Sequence, residues 1–136
     1  MNKPHHFHLV LVCSLLACLP AAAAPAGQFV LTGERWTYTD GDFTMSGILV
    51  KPEGKGPHPA VLISHGGGGT AESFGLTKAR EMVKWGMVCM APDYTHSGRS
   101  LSGQRGPGGW QNAGASAEGL RRAGPCLGLL EGMPEV

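Results

Sequence analysis

The chain has 136 residues, of which 42% are hydrophobic and 15% charged, a composition typical of a globular protein and unlike that of a disordered one. Its formal net charge is +1 at pH 7, and no block of like charges occurs along it. Proteins that bind nucleic acid or acidic membrane surfaces need basic patches, so both classes are disfavoured. We expect one domain and a small-molecule partner.

The first 24 residues have the order of a secretory signal peptide. Lys3 lies in a short polar start, residues 9–19 are almost wholly apolar, and small residues fill positions 20–26 before the polar Gln28. The apolar run is too short to span a bilayer comfortably. We therefore predict a signal peptide over residues 1–24, export to the periplasm or the medium, and a partial domain over residues 25–136.

Four cysteines divide between this leader and the remainder of the chain. Cys18 ends the stretch Leu-Leu-Ala-Cys, which partly matches a lipoprotein processing site, so a lipid anchor there is an alternative to a cleaved leader. Cys89 lies in an apolar run, and two cysteines make no disulfide framework, so we predict that Cys89 and Cys126 are buried packing residues. The spacing C-x-x-C does not occur, and no metal site is expected.

A β-hairpin is predicted near the start of the domain. Residues 34–39 (ERWTYT) and 43–51 (FTMSGILVK) carry strand-forming side chains, and Asp40-Gly41-Asp42 between them is typical of a turn. Residues 52–59 (PEGKGPHP) contain three prolines and two glycines, which predicts a loop because proline cannot donate to a strand ladder.

A strand, a helix and a second strand are predicted to follow. Residues 60–64 (AVLIS) are apolar until the last, the pattern of a strand buried on both faces. Thr70 or Ser73 can cap a helix that Gly86 ends, and its apolar face carries Leu76, Ala79, Met82 and Val83. Residues 87–91 (MVCMA) predict a second buried strand. This succession predicts a parallel β-α-β unit and an α/β fold class.

Beyond Pro92 the pattern weakens. Residues 97–114 are rich in glycine and polar side chains, which predicts a long surface loop. Residues 115–131 have helical periodicity but contain three glycines and Pro125. Because proline inside a helix costs about 3 kcal/mol and glycine about 1 kcal/mol relative to alanine, we predict a kinked or marginal helix.

Four consecutive glycines, Gly66 to Gly69, lie between the first buried strand and its helix. Ligands of open α/β sheets bind at the carboxyl ends of the strands, and a glycine run there lets backbone N–H groups approach a ligand closely. An oxyanion hole uses such groups to stabilise the negative charge that develops on a carbonyl oxygen during acyl transfer. A tight turn without a ligand would need only one or two glycines.

Dinucleotide binding is an alternative for the same loop. Gly66, Gly68 and Ala71 satisfy G-x-G-x-x-G/A between strand and helix, and Asp93 follows at the distance of a ribose-binding acid. A run of four glycines satisfies many glycine patterns, however, and an exported chain would meet little NAD. We expect Asp93 to brace the turn that it begins, and no Lys-Ser/Thr pair completes a Walker-type phosphate loop.

The segment from Ser64 to Gly68 (SHGGG) resembles the H-G-G-G loop of α/β-hydrolases. Residues 92–100 (PDYTHSGRS) resemble in part the turn after the fourth strand of that superfamily, and residues 47–52 carry G-x-L-x-x-P. The order of these motifs is most similar to that of dienelactone hydrolases and related exported esterases. Prolyl-oligopeptidase-type peptidases share much of the pattern, which leaves a peptidase as an alternative.

The resemblance implies a β-hairpin followed by a parallel β-α-β unit in a three-layer sandwich. It also implies a serine-type hydrolase of ester, lactone or similar acyl bonds that needs no metal or organic cofactor. Gly67 and Gly68 would then give the N–H groups of the oxyanion hole, and His65 would brace the loop.

A hydrolase of this type also needs a nucleophile in G-x-S-x-G after the fifth strand, followed by an acid and a histidine. The sequence contains no G-x-S-x-G, and in its nearest match, residues 98–103 (GRSLSG), the second glycine comes one position late. We therefore expect the front part of an α/β-hydrolase fold, truncated before the nucleophile elbow and inactive alone. A non-catalytic small-molecule-binding fragment remains the alternative.

Overall fold

A computed structural model of the chain describes residues 26–66, 69–94 and 116–136. One mixed sheet contains the strands β1 (Gln28–Thr32), β2 (Arg35–Asp40), β3 (Phe43–Val50), β4 (Ala60–Leu62) and β5 (Val88–Pro92), in the order β1-β2-β3-β5-β4. A π-helical turn (Ala71–Gly75), α1 (Leu76–Met82) and a 3₁₀ turn (Val83–Trp85) connect β4 to β5, and α2 (Ala117–Glu131) follows. The predicted α/β class is confirmed.

The predicted hairpin is present as β2 and β3. The two strands pair antiparallel from Arg35 opposite Ile48 to Asp40 opposite Phe43. Gly41 in the turn has φ +55°, a conformation that residues with a side chain rarely adopt. β1 does not follow from the sequence pattern, and it pairs antiparallel with the outer edge of β2. Four of the five residues of β1 are exposed, so its side chains do not follow the alternation that marks a half-buried strand.

The predicted β-α-β unit is confirmed by β4 and β5, which pair parallel from Ala60 opposite Val88 to Leu62 opposite Met90. β5 lies between β3 and β4 and is buried along its whole length, as expected. The expectation that residues 60–64 form a strand buried on both faces is wrong. β4 covers three residues, none of them fully buried, because it is the edge strand of the sheet that the structure describes.

The helical segment after the glycines begins at a predicted cap. Thr70 Oγ1 accepts a hydrogen bond from the backbone N of Ser73 at 2.9 Å, and Ser73 Oγ accepts one from the backbone N of Thr70 at 3.0 Å. This reciprocal capping box satisfies two amides that the first turn leaves unpaired. Gly86, at φ +80°, ends the segment in the left-handed conformation, as predicted.

Alternate side chains of the sheet form two separate cores, because successive strand residues point to opposite faces. One core joins the α1 segment to the sheet through Ala79, Ile48, Val50, Cys89 and Ala91. The other joins α2 to the sheet through Cys126, Leu130, Leu49, Val88 and Met90. The two helices therefore cover opposite faces of the sheet, which gives three layers.

The last helix forms where the sequence predicts one. α2 covers 15 residues and continues through Pro125, and its predicted kinked or marginal character stays a prediction. Ser116 Oγ caps its start by accepting from the backbone N of Gly119 at 3.1 Å. Its buried residues, Gly119, Arg122, Cys126 and Leu130, recur every three or four positions and pack on the sheet. Tertiary packing therefore outweighs the intrinsic cost of the glycines and the proline.

Cys89 and Cys126 are free and fully buried, which confirms that they are packing residues. They lie in the two different cores, on opposite faces of the sheet. Burial raises the pKa of the Cys126 thiol to about 12. Across the described ranges, neither helix has the length and apolar character needed to cross a membrane. The predicted signal peptide, the Cys18 anchor and the loop over residues 97–114 lie outside the described residues.

Residues after α2 attach to the amino-terminal end of β4. The backbone N of His58 donates to the carbonyl of Glu135 at 2.8 Å, and the Glu135 carboxylate pairs with Lys51 at the end of β3. The hydrogen bond from Lys51 is the main reason that the pKa of Glu135 lies below its usual range. This contact joins the end of α2 to both the hairpin and the β-α-β unit.

Gly47 in β3 packs tightly against Ala91 and Trp36, and its substitution tests this packing. An added Cβ there would overlap the carbonyl oxygen of Ala91 and lie 2.6 Å from the Trp36 ring. We expect Gly47→Ala to lower the free energy of unfolding by about 1–3 kcal/mol, the usual cost of overpacking. Urea unfolding measures the change. Gly124→Ala in α2 is the control. Its added methyl group meets open space, and the substitution should raise the free energy of unfolding by about 1 kcal/mol. Equal stability of the two variants would contradict the packing described.

Glu135 gives a pH dependence with a definite sign. Its pKa is lower in the folded chain than in the unfolded one, so its contribution to stability is complete above the unfolded value and is lost as pH falls through the folded value. We expect Glu135→Gln to lower the urea midpoint at about pH 6 and to have a smaller effect at about pH 3. Glu131→Gln, at an exposed position, is the control. A Glu135→Gln effect of equal size at both pH values would argue against the ion pair.

Candidate functional site

The carboxyl ends of β4 and β5 meet at one edge of the sheet. Pairing continues past β4 through the backbone N of Ile63, which donates to the Met90 carbonyl at 2.8 Å. Beyond it, Ser64 Oγ and Tyr94 Oη share a hydrogen bond of 2.8 Å. This edge is where ligands of open α/β sheets bind, and the glycine run starts from it.

His65 lies at the entrance to the glycine run and is 5% exposed. Its Nδ1 is 3.0 Å from the carbonyl oxygen of Gly66, and a carbonyl only accepts, so this contact requires a protonated Nδ1. The His65 ring also meets the Tyr94 ring edge-on, with centroids 5.2 Å apart. These contacts hold the first glycine of the run against the end of β5.

The same Gly66 carbonyl links the two sides of the glycine run. It accepts a hydrogen bond from the backbone N of Gly69 at 3.0 Å, one residue before the cap at Thr70. Gly67 and Gly68 lie outside the described residues, so their role as oxyanion-hole donors stays a prediction. The bracing role of His65 also stays a prediction, and its burial and its contact with Gly66 are compatible with it.

Tyr94 is a buried hydroxyl beside an exposed serine. Burial is the main cause that raises its pKa, while the hydrogen bond with Ser64 acts in the opposite direction. The phenol is therefore protonated at neutral pH and cannot serve as the base that would activate Ser64. The Ser64–Tyr94 hydrogen bond instead has a structural role, since it joins the end of β4 to the end of β5.

Asp93 ties the end of β5 to β3, and because the turn that it begins lies outside the described residues, its predicted role in bracing that turn stays a prediction. The side chain is almost fully buried, and Oδ2 accepts from Ser46 Oγ at 2.7 Å. Its backbone is also fixed, because its N donates to the Ser46 carbonyl at 2.8 Å and its carbonyl accepts from Arg122 Nη1 at 3.4 Å. A ribose-binding acid must accept hydrogen bonds from a ligand, so this buried carboxylate disfavours the dinucleotide alternative.

The sequence analysis missed two residues of this cluster. Ser46 is a polar side chain in the buried part of β3, and that isolated polar position is the signal that could have found it. Arg35 begins β2, pairs with the exposed Glu72, and places Nη1 3.7 Å from Asp93 Oδ2. The residues around Arg35 in the sequence give no sign of its role, because its partners Glu72 and Asp93 are distant in sequence.

Other candidate sites are few in the described part of the chain. No group of three or more potential metal ligands occurs among residues 26–66, 69–94 and 116–136. A cavity of about 300 Å³ lies near the Lys51–Glu135 pair, at the end of the sheet away from the glycine run, with Phe29, Leu129 and Met133 in its lining.

Comparisons with protein-family models, with curated proteins and with solved structures gave no match to this chain. Function is therefore inferred from the residues and their geometry.

Ser46 provides a direct test of the Asp93 cluster. Removing its hydroxyl leaves a buried carboxylate without a donor, and hydrogen bonds to charged groups contribute about 1.5–3 kcal/mol. We expect Ser46→Ala to lower the free energy of unfolding by about that amount, measured in urea at pH 7. Thr37, the cross-strand neighbour of Ser46, is exposed, and Thr37→Ser should change stability by less than about 0.5 kcal/mol. A near-neutral Ser46→Ala would contradict the assignment.

Proposed function

We propose that this chain supplies the oxyanion-binding part of an exported hydrolase of the α/β-hydrolase, dienelactone hydrolase-like type. The substrate class is an ester, a lactone or a similar acyl compound. The observation that carries the proposal is a buried histidine held against the first of four glycines, between the carboxyl end of a parallel strand and a capped helix. This is the position at which the resembling family places its H-G-G-G loop.

The chemistry of this position suits a developing negative charge. Attack on an acyl carbonyl converts its oxygen to an oxyanion, which backbone N–H groups stabilise without a reorganisation of solvent. Gly67 and Gly68 would donate these N–H groups, and the capped start of the helical segment follows them closely in the chain. Glycine suits the role because a side chain would keep the substrate from the backbone.

The arrangement of the elements supports the proposal at the level of the fold. An antiparallel hairpin precedes a parallel β-α-β unit in the same sheet, and the two helices cover opposite faces. The resemblance implies this succession. The preference for a hydrolase over a dinucleotide-binding protein depends further on the carboxylate of Asp93, which is buried and accepts a hydrogen bond from Ser46.

The complete reaction needs groups that these residues do not provide. A serine or cysteine would attack the carbonyl carbon, the tetrahedral intermediate would expel the alcohol, and water would release the acid from the acyl-enzyme. The sequence contains no G-x-S-x-G, and Ser64 faces a protonated phenol. We therefore assign to this chain the stabilisation of the oxyanion and not the formation of the bond.

Two measurements on the isolated chain test this division. We expect p-nitrophenyl acetate to be hydrolysed at the rate of buffer and a fluorophosphonate probe to leave the chain unlabelled, because both reactions require an activated nucleophile. Labelling would show a nucleophile that we do not assign.

In any active hydrolase that contains these residues together with a nucleophile, one variant pair tests the proposed donors. Gly67→Pro removes one predicted donor and should lower kcat about 10²–10³-fold, the usual effect of losing one oxyanion-hole group. Gly124→Ala, which places a methyl group in open space in α2 and outside the loop, is the control. Equal activity of the two variants would contradict the role of Gly67.

A further inference from the structure

One guanidinium contacts both the turn that follows the glycine run and the end of β5, the strand beside the start of the run. Arg35 Nη2 pairs with Glu72 in the turn that follows the run, and Arg35 Nη1 lies 3.7 Å from the Asp93 carboxylate at the end of β5. Arg35 itself belongs to β2, two strands away from β5 in the sheet. We propose that Arg35 is a positioning residue that fixes the two flanks of the glycine run relative to each other, an inference that rests on the proposed function.

The downstream flank is fixed through Glu72. Glu72 lies two residues after the Thr70 cap, in the first turn of the helical segment. Its side chain is 65% exposed, and an ion pair so exposed adds little to global stability. Its effect is instead local, because it selects one orientation of the turn that follows the glycines.

The upstream flank is fixed through Asp93. This carboxylate is held by Ser46, and the next residue, Tyr94, contacts both Ser64 and the ring of His65. A change at Arg35 therefore reaches the run from both ends, through Glu72 on one side and through Asp93 and Tyr94 on the other.

Three variants separate positioning from ordinary stabilisation. Arg35→Met keeps the apolar stem but removes both ion pairs, and Arg35→Lys keeps the charge but not the two-armed geometry. Arg80→Met is the matched control, because Arg80 is 64% exposed and pairs with a surface carboxylate, Glu34, at 3.4 Å.

Hydrogen exchange of the whole chain gives the first readout. The loss of the charge beside Asp93 can lower global stability and speed exchange everywhere, so the readout is the difference between regions. We expect Arg35→Met to speed amide exchange in residues 64–74 about tenfold more than in β5, since local opening need not require global unfolding. Arg35→Lys should restore part of the protection, and Arg80→Met should leave it unchanged. Uniformly faster exchange, or no change in residues 64–74, would overturn the positioning role.

Titration with phenylphosphonate, a tetrahedral anion, gives the second readout through the amide shifts of Gly66 and Gly69. We expect saturable binding by the wild-type chain and binding about fivefold weaker or more in Arg35→Met. Absence of binding by the wild type would overturn the oxyanion role of the loop, while the exchange experiment would still decide the role of Arg35. Unchanged affinity in Arg35→Met would overturn the positioning proposal alone.

Discussion

The buried carboxylate of Asp93 is the constraint around which this edge of the sheet is organised. A charged group removed from water must be compensated by donors, or the chain would lose several kcal/mol on folding. Ser46 on β3 provides the hydrogen bond, and Arg35 on β2 provides the nearest opposite charge. Both partners belong to the β2–β3 hairpin. A shift of the hairpin in register against β5 would therefore separate Asp93 from its hydrogen-bond donor and its counter-charge.

The sheet order explains why this constraint lies beside the glycine run. β5 is inserted between β3 and β4, so its carboxyl end touches the hairpin on one side and the end of β4 on the other. Asp93 contacts the hairpin through Ser46. Tyr94, the next residue, contacts Ser64 and His65 after the end of β4. Two consecutive residues thus connect the fixed hairpin to the start of the loop.

Local patterns predicted the elements whose formation depends on local chemistry. The hairpin turn, the Thr70 cap, the Gly86 stop and the buried β5 follow from residue type and spacing. The exposed β1, the partial burial of β4 and the continuity of α2 through Pro125 depend on which elements pack together. The glycine run was recognised as a candidate site from its sequence, but its links to Ser46 and Arg35 join residues tens of positions apart, and no single window contains them.

A loop of four glycines also has a thermodynamic requirement that bears on function. Glycine loses more backbone freedom on folding than other residues, so an ordered run costs more than an equally long run of alanine. Preorganised N–H groups stabilise an oxyanion only if that entropy is lost before the reaction begins. The contacts at both flanks, from His65 and Gly69 to the Gly66 carbonyl and from Ser73 to the Thr70 cap, offset part of this cost locally. The rigidity that glycine residues lack must therefore come from their neighbours. The residues that hold the flanks of the loop are accordingly polar, and they come from β2, β3, the segments just after β4 and β5, and the helical turn.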